Sequence, residues 1–388
     1  MRTKKLGIIG GGSMAGIFAQ NAKKLGIESH CFSPMSGITN PDYFDYIHEV
    51  NILDLNSLLK LCKKAKIDGV VSTTELTIAP AAYIAEKMNL VGLSYSVATE
   101  ITDKYRNRTK IKNVKELNQP KYAEVYSVAE IKKLNYEYPI ILKPTSKGGK
   151  RGVSVINNEM EIKDAFDYAM KETKDTLPFI IEEFIDGEME CSVESLSYNN
   201  NNFIIQVTEK ITSGPPHCVE LAHHQPANIS KSLRKKIEEV IDKGLSAIGL
   251  SNGACHTEIK IKDSKIYLIE FNARPGGDHI AYPLTNLSTG YPYIKGAIEI
   301  ALGQFAGVDY SKFDNKFSGV LFVTNQTKYL KPIFDECEKY DWCYKKNFVS
   351  DKLDEIIHND GFNKNYFIYC YDRRPNFIKN EKGEWWKR

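Results

Sequence analysis

Apolar runs and amphipathic segments alternate through the N-terminal part of the chain. Residues 6–9 form a short apolar run, a glycine-rich turn follows at 10–16, and an Ala/Lys-rich segment then extends to about Leu25. The first of these predicts a buried strand and the last predicts a helix. Further strands are predicted at 28–32 and 69–72, and further helices at 55–66 and 78–88. Strands that alternate with helices indicate a parallel sheet with helices on both faces, so we expect a Rossmann-like domain over residues 1–98.

The pattern changes beyond residue 99, where paired strands replace the alternation of strand and helix. A strand that ends at Pro144 and a return strand at 153–156 predict a hairpin around a basic, glycine-rich loop at 146–152. A helix is predicted at 159–173. Other apolar strands are predicted at 179–185, 190–198, 203–210, 254–262, 265–272, 318–323 and 366–371. The two patterns together predict an α/β domain followed by an α+β body.

Composition is that of an ordinary globular protein. The 388 residues suggest about two to three domains. A hydrophobic content of 42% and a charged content of 26% exclude a collagen-like, coiled-coil or disordered chain. The 52 basic and 49 acidic residues leave a net charge of +3, whereas a general nucleic-acid binder usually has a stronger or more clustered basic excess. We therefore expect no nucleic-acid partner.

Cysteine spacing and the lengths of the apolar runs bear on the cellular compartment. The eight cysteines are scattered, and no pair has the two-residue gap of a zinc knuckle or a redox motif. The run at 6–9 is too short for a signal peptide, and no stretch approaches the ~20 apolar residues that span a bilayer. These features predict a cytoplasmic protein with no membrane partner.

The first glycine-rich turn, Gly10-x-Gly12-x-x-Ala15, has the spacing of a dinucleotide-binding fingerprint between a strand and a helix. Such a turn lets the backbone approach an anion at a helix N-terminus. A NAD site would also need a carboxylate near the end of the second strand, and the residues at 30–34 include none. Three interpretations stay open: a NAD site, a site for another ligand, and a tight turn with a structural role only.

Lys143 and the basic loop at 146–152 are candidates for phosphate binding. Lysine supplies a point charge, and glycines let backbone N–H groups surround phosphate oxygens. The segment lacks the Gly-x-x-x-x-Gly-Lys-Ser/Thr sequence of a P-loop. A surface hairpin without a ligand is the alternative interpretation.

The last predicted hairpin of the body carries a set of oxygen-bearing side chains. Period-2 alternation puts Glu270 and Asn272 on one face, and the turn at Asp263-Ser264 places Glu258 across from Glu270. Two carboxylates and an amide oxygen suit Mg²⁺, which usually shares its shell with substrate phosphates. Arg274 follows directly and can carry phosphoryl charge. The alternative is the solvated face of an ordinary hairpin.

Taken in chain order, these features resemble the ATP-grasp superfamily. The matching positions are Lys104, Lys143, the glycine-rich loop, Glu182-Glu183-Phe184-Ile185, Glu258 and Glu270-x-Asn272-x-Arg274. The resemblance covers about residues 75–300. It implies a pre-ATP-grasp domain at 1–98, an ATP-grasp domain at 99–308 with a lid lobe at about 115–182, and a C-terminal α/β cap at 309–388.

The resemblance also implies a role for each matching residue. The phosphates of ATP would be held by Lys104 and Lys143 and covered by the closing loop with Ser146, Gly148, Gly149 and Gly152. The adenine would lie at the hinge formed by Glu182, Phe184 and Ile185. The ribose would be bound by Glu190, with Glu188 as a competitor for that position. Mg²⁺, for which Mn²⁺ can substitute, would be held by Glu258, Glu270 and Asn272. Arg274 matches the arginine near the γ-phosphate and the acyl phosphate.

Within the superfamily the chain most resembles the L-amino-acid ligases of the bacilysin type. The likeness rests on Asn272-Ala273-Arg274-x-Gly276-Gly277-Asp278, on the Glu-Leu-x-Ile-Ala-Pro stretch within 74–80, and on the segment 214–223. Biotin-dependent carboxylases carry Gln-x-Glu-His after the arginine, and this chain has Pro275-Gly276-Gly277-Asp278-His279 instead. The resemblance therefore disfavours the carboxylases.

An amino-acid substrate needs a carboxylate for its ammonium group and cations or N–H groups for its own carboxylate. Glu75 and Glu220 are candidates for the first role, and Arg274 with the Gly276-Gly277 turn for the second. His223 can orient a substrate or remove a proton from the attacking amine. Each of these roles has a structural alternative. Glu75 could cap the helix that follows it, and Glu209 and Lys210 could form only a strand-end ion pair. His217, His223 and His224 could be structural loop residues.

The expected function is that of an ATP-dependent carboxylate–amine ligase that acts through an acyl phosphate and releases ADP and phosphate. Its expected partners are small carboxylate and amine substrates, specifically two L-amino acids, and a homodimer is the default expectation for such an enzyme. Three alternatives stay open: an ATP-grasp carboxylase, a purine-pathway ligase and a NAD-binding oxidoreductase.

Overall fold

The computed structural model describes residues 2–146, 148, 151–215 and 218–375, which form three β-sheets flanked by helices. The N-terminal sheet is parallel and has the strand order β3-β2-β1-β4. Its strands are β1 Lys5–Ile9, β2 Glu28–Ser33, β3 Tyr46–Glu49 and β4 Gly69–Ser72. Its helices are α1 Ser13–Lys24, α2 Leu55–Ala65 and α3 Ile78–Lys87. The predicted parallel sheet is confirmed, and β3 is an additional edge strand that the apolar pattern did not indicate.

Two short helices connect this domain to a small antiparallel sheet with the strand order β5-β8-β6-β7. The connecting helices are α4 Tyr95–Ile101 and α5 Lys104–Ile111. The strands are β5 Tyr122–Val125, β6 Ile140–Pro144, β7 Ser154–Ile156 and β8 Phe179–Glu183, with helices α6 Val128–Lys133 and α7 Ile162–Thr173. The predicted hairpin is present, because β6 and β7 pair in antiparallel register.

The largest sheet has eight strands in the order β13-β12-β9-β10-β11-β14-β16-β15. The strands from the body are β9 Met189–Tyr198, β10 Asn201–Thr212, β11 Glu220–Gln225, β12 Gly253–Lys262 and β13 Lys265–Asn272. The strands from the C-terminal segment are β14 Phe317–Val323, β15 Cys343–Asn347 and β16 Asn365–Tyr371. The C-terminal strands thus extend the sheet of the body, since β14 pairs with β11. The domain boundaries at 98 and 308 stay predictions.

The remaining helices cover this sheet or connect its strands. They are α8 Lys231–Ile248, α9 Thr285–Thr289, α10 Tyr293–Ala301 and α11 Lys331–Glu336. A core of buried Leu, Ile, Val and Phe side chains lies between α8 and strands β9, β10, β12 and β13. Burying one such side chain stabilises the fold by about 1.5–3 kcal/mol. Within the described ranges, no helix combines the length and the apolar character needed to cross a bilayer.

One structural prediction for the body was wrong. His223 and His224 were placed in a loop, but both lie on the buried strand β11, in the middle of the sheet. Every residue of β11 is buried, so the strand has no apolar–polar alternation to identify it. Its polar side chains face other polar side chains inside the protein, which sequence periodicity alone does not reveal.

Candidate functional site

Rows of polar side chains cross one face of the large sheet. In one row Thr208, Ser192, Glu258 and Glu270 are successive cross-strand neighbours on β10, β9, β12 and β13. A second row is formed in the same way by Gln206, Glu194, His256 and Asn272, and a third by Lys210, Glu190, Lys260 and Tyr267. Cross-strand neighbours project to the same side of a sheet. The register therefore brings the candidate residues Glu190, Glu258, Glu270 and Asn272 to a single surface.

The two candidate metal carboxylates face each other as predicted. Glu258 and Glu270 are register partners on β12 and β13. The register shifts immediately beyond this pair, where Ile259 is opposite Leu268, so Ile269 is the extra residue of a β-bulge. Bulges often occur beside functional sites, where they change the direction of a side chain. Here the bulge lets Glu270 share the polar face while Leu268 stays in the core.

Each of these carboxylates is paired with a lysine. Lys104 Nζ lies 3.1 Å from Glu270 Oε1 and 3.6 Å from Glu75 Oε1. Burial alone would lower the pKa of Lys104, but Glu270 and Glu75 outweigh it and raise that pKa, so Lys104 stays charged. Burial, with Glu75 and Glu258 nearby, raises the pKa of Glu270 despite Lys104. A cation at this position would relieve the crowding of these carboxylates.

Glu75 does not cap the helix that follows it. The capping box of that turn is formed by Thr74 and Thr77. The carboxylate of Glu75 instead faces Lys104 and lies against the glycine-rich loop, because a Cβ added at Gly148 would come within 2.0 Å of Glu75 Oε2. Gly148 therefore lies beside the carboxylate of Glu75, whereas Gly149 lies outside the described residues.

The remaining described residues of this loop lie around its base. Ser146 is exposed just after β6. Gly152 has a φ of +69°, and a Cβ there would meet Pro144 at 3.0 Å. Glycine is therefore required at residue 152 by its backbone conformation and by close packing.

Lys143 is held by a buried anion that has a second cation beside it. Lys143 Nζ lies 2.7 Å from Glu182 Oε2, and Arg108 Nε bonds to the other oxygen of Glu182. Only 2% of each of the Arg108 and Glu182 side chains is exposed. Burial would raise the pKa of Glu182, but Arg108 and Lys143 outweigh it and lower that pKa to about 2.

Arg108 also connects this ion pair to strand β13. Its Nη1 donates to the Leu268 carbonyl at 3.0 Å, and its Nη2 donates to the carbonyl of the bulged residue Ile269 at 3.1 Å. Arg108 therefore joins α5, the small antiparallel sheet β5-β8-β6-β7 (hereafter the lid sheet) and the β-bulge beside Glu270. The sequence contains no signal for this role, since Arg108 is one of several basic residues on a polar helix.

The predicted adenine hinge lies at the end of β8, and Lys260 covers it. Lys260 Nζ donates to the Ile185 carbonyl at 3.1 Å and lies 4.9 Å from the centre of the Phe184 ring. Lys260 and Lys210 also flank Glu190, at 3.8 Å and 3.5 Å. The competitor Glu188 is exposed and accepts a hydrogen bond from the Asp263 amide, away from the cluster. The geometry favours Glu190 over Glu188.

Lys210 is surrounded by three carboxylates. Its Nζ lies 3.0 Å from Glu220 and from Glu258 and 3.5 Å from Glu190, and only 2% of its side chain is exposed. Burial would lower the pKa of Lys210, but Glu220 and Glu258 outweigh it and hold that pKa well above its ordinary value. The interpretation of Glu209 and Lys210 as one ion pair was wrong, because Glu209 pairs with Arg374.

His223 is fully buried beside this cluster. Its Nδ1 lies 3.9 Å from Glu220 Oε2, and neither ring nitrogen has a hydrogen-bond partner in the described part of the chain. Burial lowers the pKa of His223 to about 3, so the ring is neutral near pH 7 and able to accept a hydrogen bond. An unsatisfied buried imidazole indicates a position that a ligand can complete.

The turn after β13 is tied to a second buried histidine that sequence analysis missed. Glu194 Oε1 lies 2.5 Å from His256 Nδ1, and Glu194 Oε2 accepts a 3.0 Å hydrogen bond from the Gly276 amide. Burial would lower the pKa of His256, but Glu194 outweighs it and raises that pKa. The Gly276 amide is therefore already used within the protein, contrary to its predicted role as a donor to substrate. Gly277 is exposed, and a Cβ there would meet no atom.

Arg274 and Asp278 flank this turn. Arg274 donates to the neighbouring Pro275 carbonyl at 2.9 Å. Asp278 has a φ of +47°. Burial, with Glu220 nearby, raises the pKa of Asp278 to about 6, even though Lys210 and Arg274 act in the opposite direction. Arg274, Lys210, Glu220 and Asp278 therefore share one region of charge.

The donor set fits Mg²⁺ in its chemistry. Glu258, Glu270 and Asn272 carry the hard oxygen atoms that Mg²⁺ prefers, and the first two face each other across one ladder. The described residues contain no group of three or more His, Cys, Asp or Glu side chains close enough to enclose a metal ion. A site completed by phosphate oxygens matches this partial set better than a cage made only of protein ligands.

The first glycine-rich turn is explained largely by packing. Gly10 has a φ of +94°, and a Cβ there would meet Thr73 at 2.8 Å. A Cβ at Gly11 would meet the carbonyl of Gly37 at 2.9 Å, whereas Gly12 faces open space. Two of the three glycines are thus needed for close contacts within the protein, which favours the structural interpretation of the turn.

Comparisons with known proteins agree with this geometry. A model of the ATP-grasp domain matches residues 136–282, so the chain contains an ATP-grasp domain and the predicted resemblance is confirmed. Alanine–anticapsin ligase of Bacillus subtilis is 27% identical over 276 residues, which cover 63% of this chain and 57% of that protein. The carbamoyl phosphate synthase large chain of Thermotoga petrophila is 26% identical over 65% of this chain and 23% of its own length. The chain thus spans less than two thirds of either relative.

Solved structures confirm the fold over nearly the whole chain. An L-amino acid ligase from Bacillus licheniformis superposes with a TM-score of 0.80 at 20% identity, covering 96% of this chain and 95% of that one. N5-carboxyaminoimidazole synthetase from Staphylococcus aureus, solved with ADP, superposes with a TM-score of 0.77 at 19% identity and the same coverage. The predicted combination of a parallel-sheet domain with an ATP-grasp fold is correct.

Proposed function

We propose that the chain is an ATP-dependent carboxylate–amine ligase that joins L-amino acids and releases ADP and phosphate. The observation that carries the proposal is a set of three lysines with little exposed side-chain surface, each of which is paired with a carboxylate. Lys104 lies 3.1 Å from Glu270, Lys143 lies 2.7 Å from Glu182, and Lys210 lies 3.0 Å from Glu220. The likeness to alanine–anticapsin ligase, a protein named for joining an amino acid to a second compound, supports this substrate class.

ATP would lie between the lid sheet and the large sheet. Lys104 and Lys143 would hold its phosphates, and the loop at 146–152 would close over them. Phe184 and Ile185 would contact the adenine, and Glu190 would receive the ribose hydroxyls. Mg²⁺, bound by Glu258, Glu270 and Asn272 together with phosphate oxygens, would neutralise the charge that develops during phosphoryl transfer.

The substrates would lie beside Lys210 and the turn after β13. Glu220 would receive an ammonium group and Arg274 a carboxylate or the phosphate formed on it. Glu75 is the second candidate for an ammonium group, and its contact with Gly148 would couple substrate binding to the closing loop. The loop would keep water from the activated carboxyl group.

The reaction would proceed in two steps. A substrate carboxylate oxygen attacks the γ-phosphorus of ATP, the bond to the β-phosphate oxygen breaks, and an acyl phosphate and ADP result. The amine then attacks the acyl carbon, a C–N bond forms, and phosphate leaves. His223, neutral at pH 7 because burial lowers its pKa to about 3, would accept a hydrogen bond from the amine and orient it, and the proton that the amine loses would leave with the phosphate.

The test is phosphate release with Mg·ATP against a panel of amino-acid pairs, bicarbonate and nucleotide precursors. Turnover with at least one amino-acid pair, together with an amide product detected by mass spectrometry, is the expected result. Turnover confined to bicarbonate would assign the chain to the carboxylases, and turnover confined to a nucleotide precursor would assign it to the purine-pathway ligases. A change in NADH absorbance without phosphate release would favour the oxidoreductase alternative.

A further inference from the structure

The C-terminal segment contributes a side chain to the carboxylates around Lys210. Strand β14 pairs with β11, which brings residues after 309 beside Glu220. Asn359, in the loop before β16, makes two contacts with that residue. Its Oδ1 accepts a hydrogen bond from the Glu220 amide at 3.1 Å, and its Nδ2 donates to Glu220 Oε1 at 3.4 Å. The two residues are 139 positions apart in the sequence.

We propose that Asn359 is a positioning residue that fixes the Glu220 carboxylate for the ammonium group of an amino-acid substrate. The C-terminal segment would then be part of the amine-binding site rather than a separate cap. This inference rests on the proposed function and adds a residue for which the sequence carries no motif.

The loop that carries Asn359 is itself anchored on both sides of Glu220. Ile356 packs against Val219 and Leu221, the two neighbours of Glu220 on the chain. Gln326 donates to the Ile356 carbonyl at 2.6 Å and accepts from its amide at 3.2 Å. These contacts keep Asn359 in place, because the apolar packing and the paired hydrogen bonds both restrain the same short segment.

The neutral amide of Asn359 matters for the charge at this point. Glu220 Oε1 lies 3.0 Å from Lys210 Nζ, so one cation already faces this carboxylate. A second cation at residue 359 would reduce the negative charge of the cluster, whereas an amide directs the carboxylate without adding charge. With Glu190 and Glu258 also around Lys210, the region keeps an excess of negative charge. An ammonium group is the ligand that this excess favours.

The experiment compares three variants of the full chain with wild type. Asn359→Leu removes both hydrogen bonds and adds no charge. Asn359→Asp keeps the acceptor for the Glu220 amide but places a second carboxylate beside the first. Asn363→Ala, in the same segment and at an exposed position, is the matched control. The KM for each amino acid and for ATP is measured separately, with the other substrates saturating, between pH 6 and 8.

Both Asn359 variants should raise the KM of one amino acid by about 10- to 100-fold, the effect of losing a hydrogen bond to a charged group. The KM of ATP should stay within about twofold of wild type, and Asn363→Ala should match wild type. The defect of Asn359→Asp should shrink as pH falls, because protonating one carboxylate removes the repulsion. The defect of Asn359→Leu should not depend on pH in this way.

Each other result overturns the inference. An unchanged amino-acid KM in both variants shows that Asn359 does not position Glu220, while the proposed function still stands. Equal increases in the KM of ATP and of amino acids indicate a general structural defect. A wild-type chain that turns over no amino acid refutes the proposed function, and this inference with it.

Discussion

The two halves of the candidate site have opposite charge arrangements. On the ATP side one buried anion, Glu182, lies between two cations, Arg108 and Lys143. On the proposed substrate side one buried cation, Lys210, lies among three anions: Glu220, proposed to bind substrate, and its neighbours Glu190 and Glu258, proposed to bind the ribose and the metal. The first arrangement has a surplus of positive charge and suits phosphates. The second has a surplus of negative charge and suits Mg²⁺ and an ammonium group.

The difference also shows how each ligand could enter without leaving a buried charge unpaired. When Lys143 turns to a phosphate, Glu182 keeps Arg108 as its partner. When an ammonium group or a metal ion approaches Glu220 or Glu258, Lys210 keeps the remaining carboxylates. An uncompensated buried charge is strongly destabilising, so a permanent partner on each side lowers the cost of binding.

The largest effect is expected from removing a carboxylate that belongs to the boundary between the two halves. Glu270→Ala should reduce turnover by about 1,000-fold, or ~4 kcal/mol in the barrier, because a metal ligand and the partner of Lys104 are lost together. The melting temperature should stay close to that of wild type. Glu159→Ala, at an exposed lid carboxylate, is the control. Full activity in Glu270→Ala would falsify the metal assignment.

The next prediction concerns the ATP half, where the cation Arg108 is removed from beside Glu182. Arg108→Met leaves Glu182 with one cation in a buried position, and we expect a loss of about 3 kcal/mol in the free energy of unfolding. The double variant Arg108→Met, Glu182→Gln removes both charges and should recover most of that stability. It should not recover the KM of ATP, since Lys143 and the bulge beside Glu270 both lose a contact. Urea denaturation and ATP kinetics measure the two quantities separately.

The pH dependence of the stability of Arg108→Met tests whether Arg108 stabilises the charged form of Glu182. The pKa of Glu182 is about 2 in the folded wild type and 4.5 as the ordinary value, so its contribution is present above pH 4.5 and is lost as pH falls toward 2. The Arg108→Met variant, with one cation fewer, should lose less stability over that interval. An identical acid-induced loss in both proteins would show that Arg108 does not hold the charge of Glu182.

The third prediction concerns the substrate half, where removal of the cation Lys210 should destabilise the fold more as pH rises. Lys210→Met leaves three carboxylates around an apolar side chain, which raises their folded pKa values above the unfolded ones. Stability of this variant should be near that of wild type at pH 4.5 and should fall by about 2 kcal/mol by pH 8. Thermal melts across this range measure the effect. A constant difference at every pH would mean that Lys210 acts through packing rather than charge.

The facing of Glu258 and Glu270 could be predicted from the sequence, whereas the partners of Lys210 could not. Glu258 and Glu270 were placed opposite each other because a short turn fixes the register of their hairpin. Lys210, by contrast, takes its partners from three other strands, and their alignment depends on the order β12-β9-β10-β11, which no local pattern encodes. Strand β11 was missed for the same reason, since Glu220, His224 and Gln225 have their partners on other strands.

Single residues outside any motif show the same limit. Arg108 makes its contacts with residues 74 and 160 positions away. Asn359 lies in a segment that matches nothing recognisable in the sequence. Both could be found only once the fold brought them to the polar face of the large sheet. The fold class was predictable from periodicity, whereas the contacts of Arg108 and Asn359 with the site residues become visible only in the three-dimensional structure.

The smallest expected effect concerns Asp278, at the junction of the two halves. Burial raises its pKa from 3.8 to about 6, so its charge destabilises the fold above pH 6 and this penalty disappears as pH falls below about 4. Because Asp278 is only partly buried, Asp278→Asn should raise stability by roughly 1 kcal/mol at pH 7.5, with the gain shrinking between pH 6 and 4. Asparagine tolerates the φ of +47° as well as aspartate does, so backbone strain does not confound the comparison. A gain that persists unchanged at pH 4 would show that the carboxylate is not desolvated. A gain that follows the titration, joined to a loss of turnover, would mean that the chain keeps a destabilising charge at this junction because the reaction needs it.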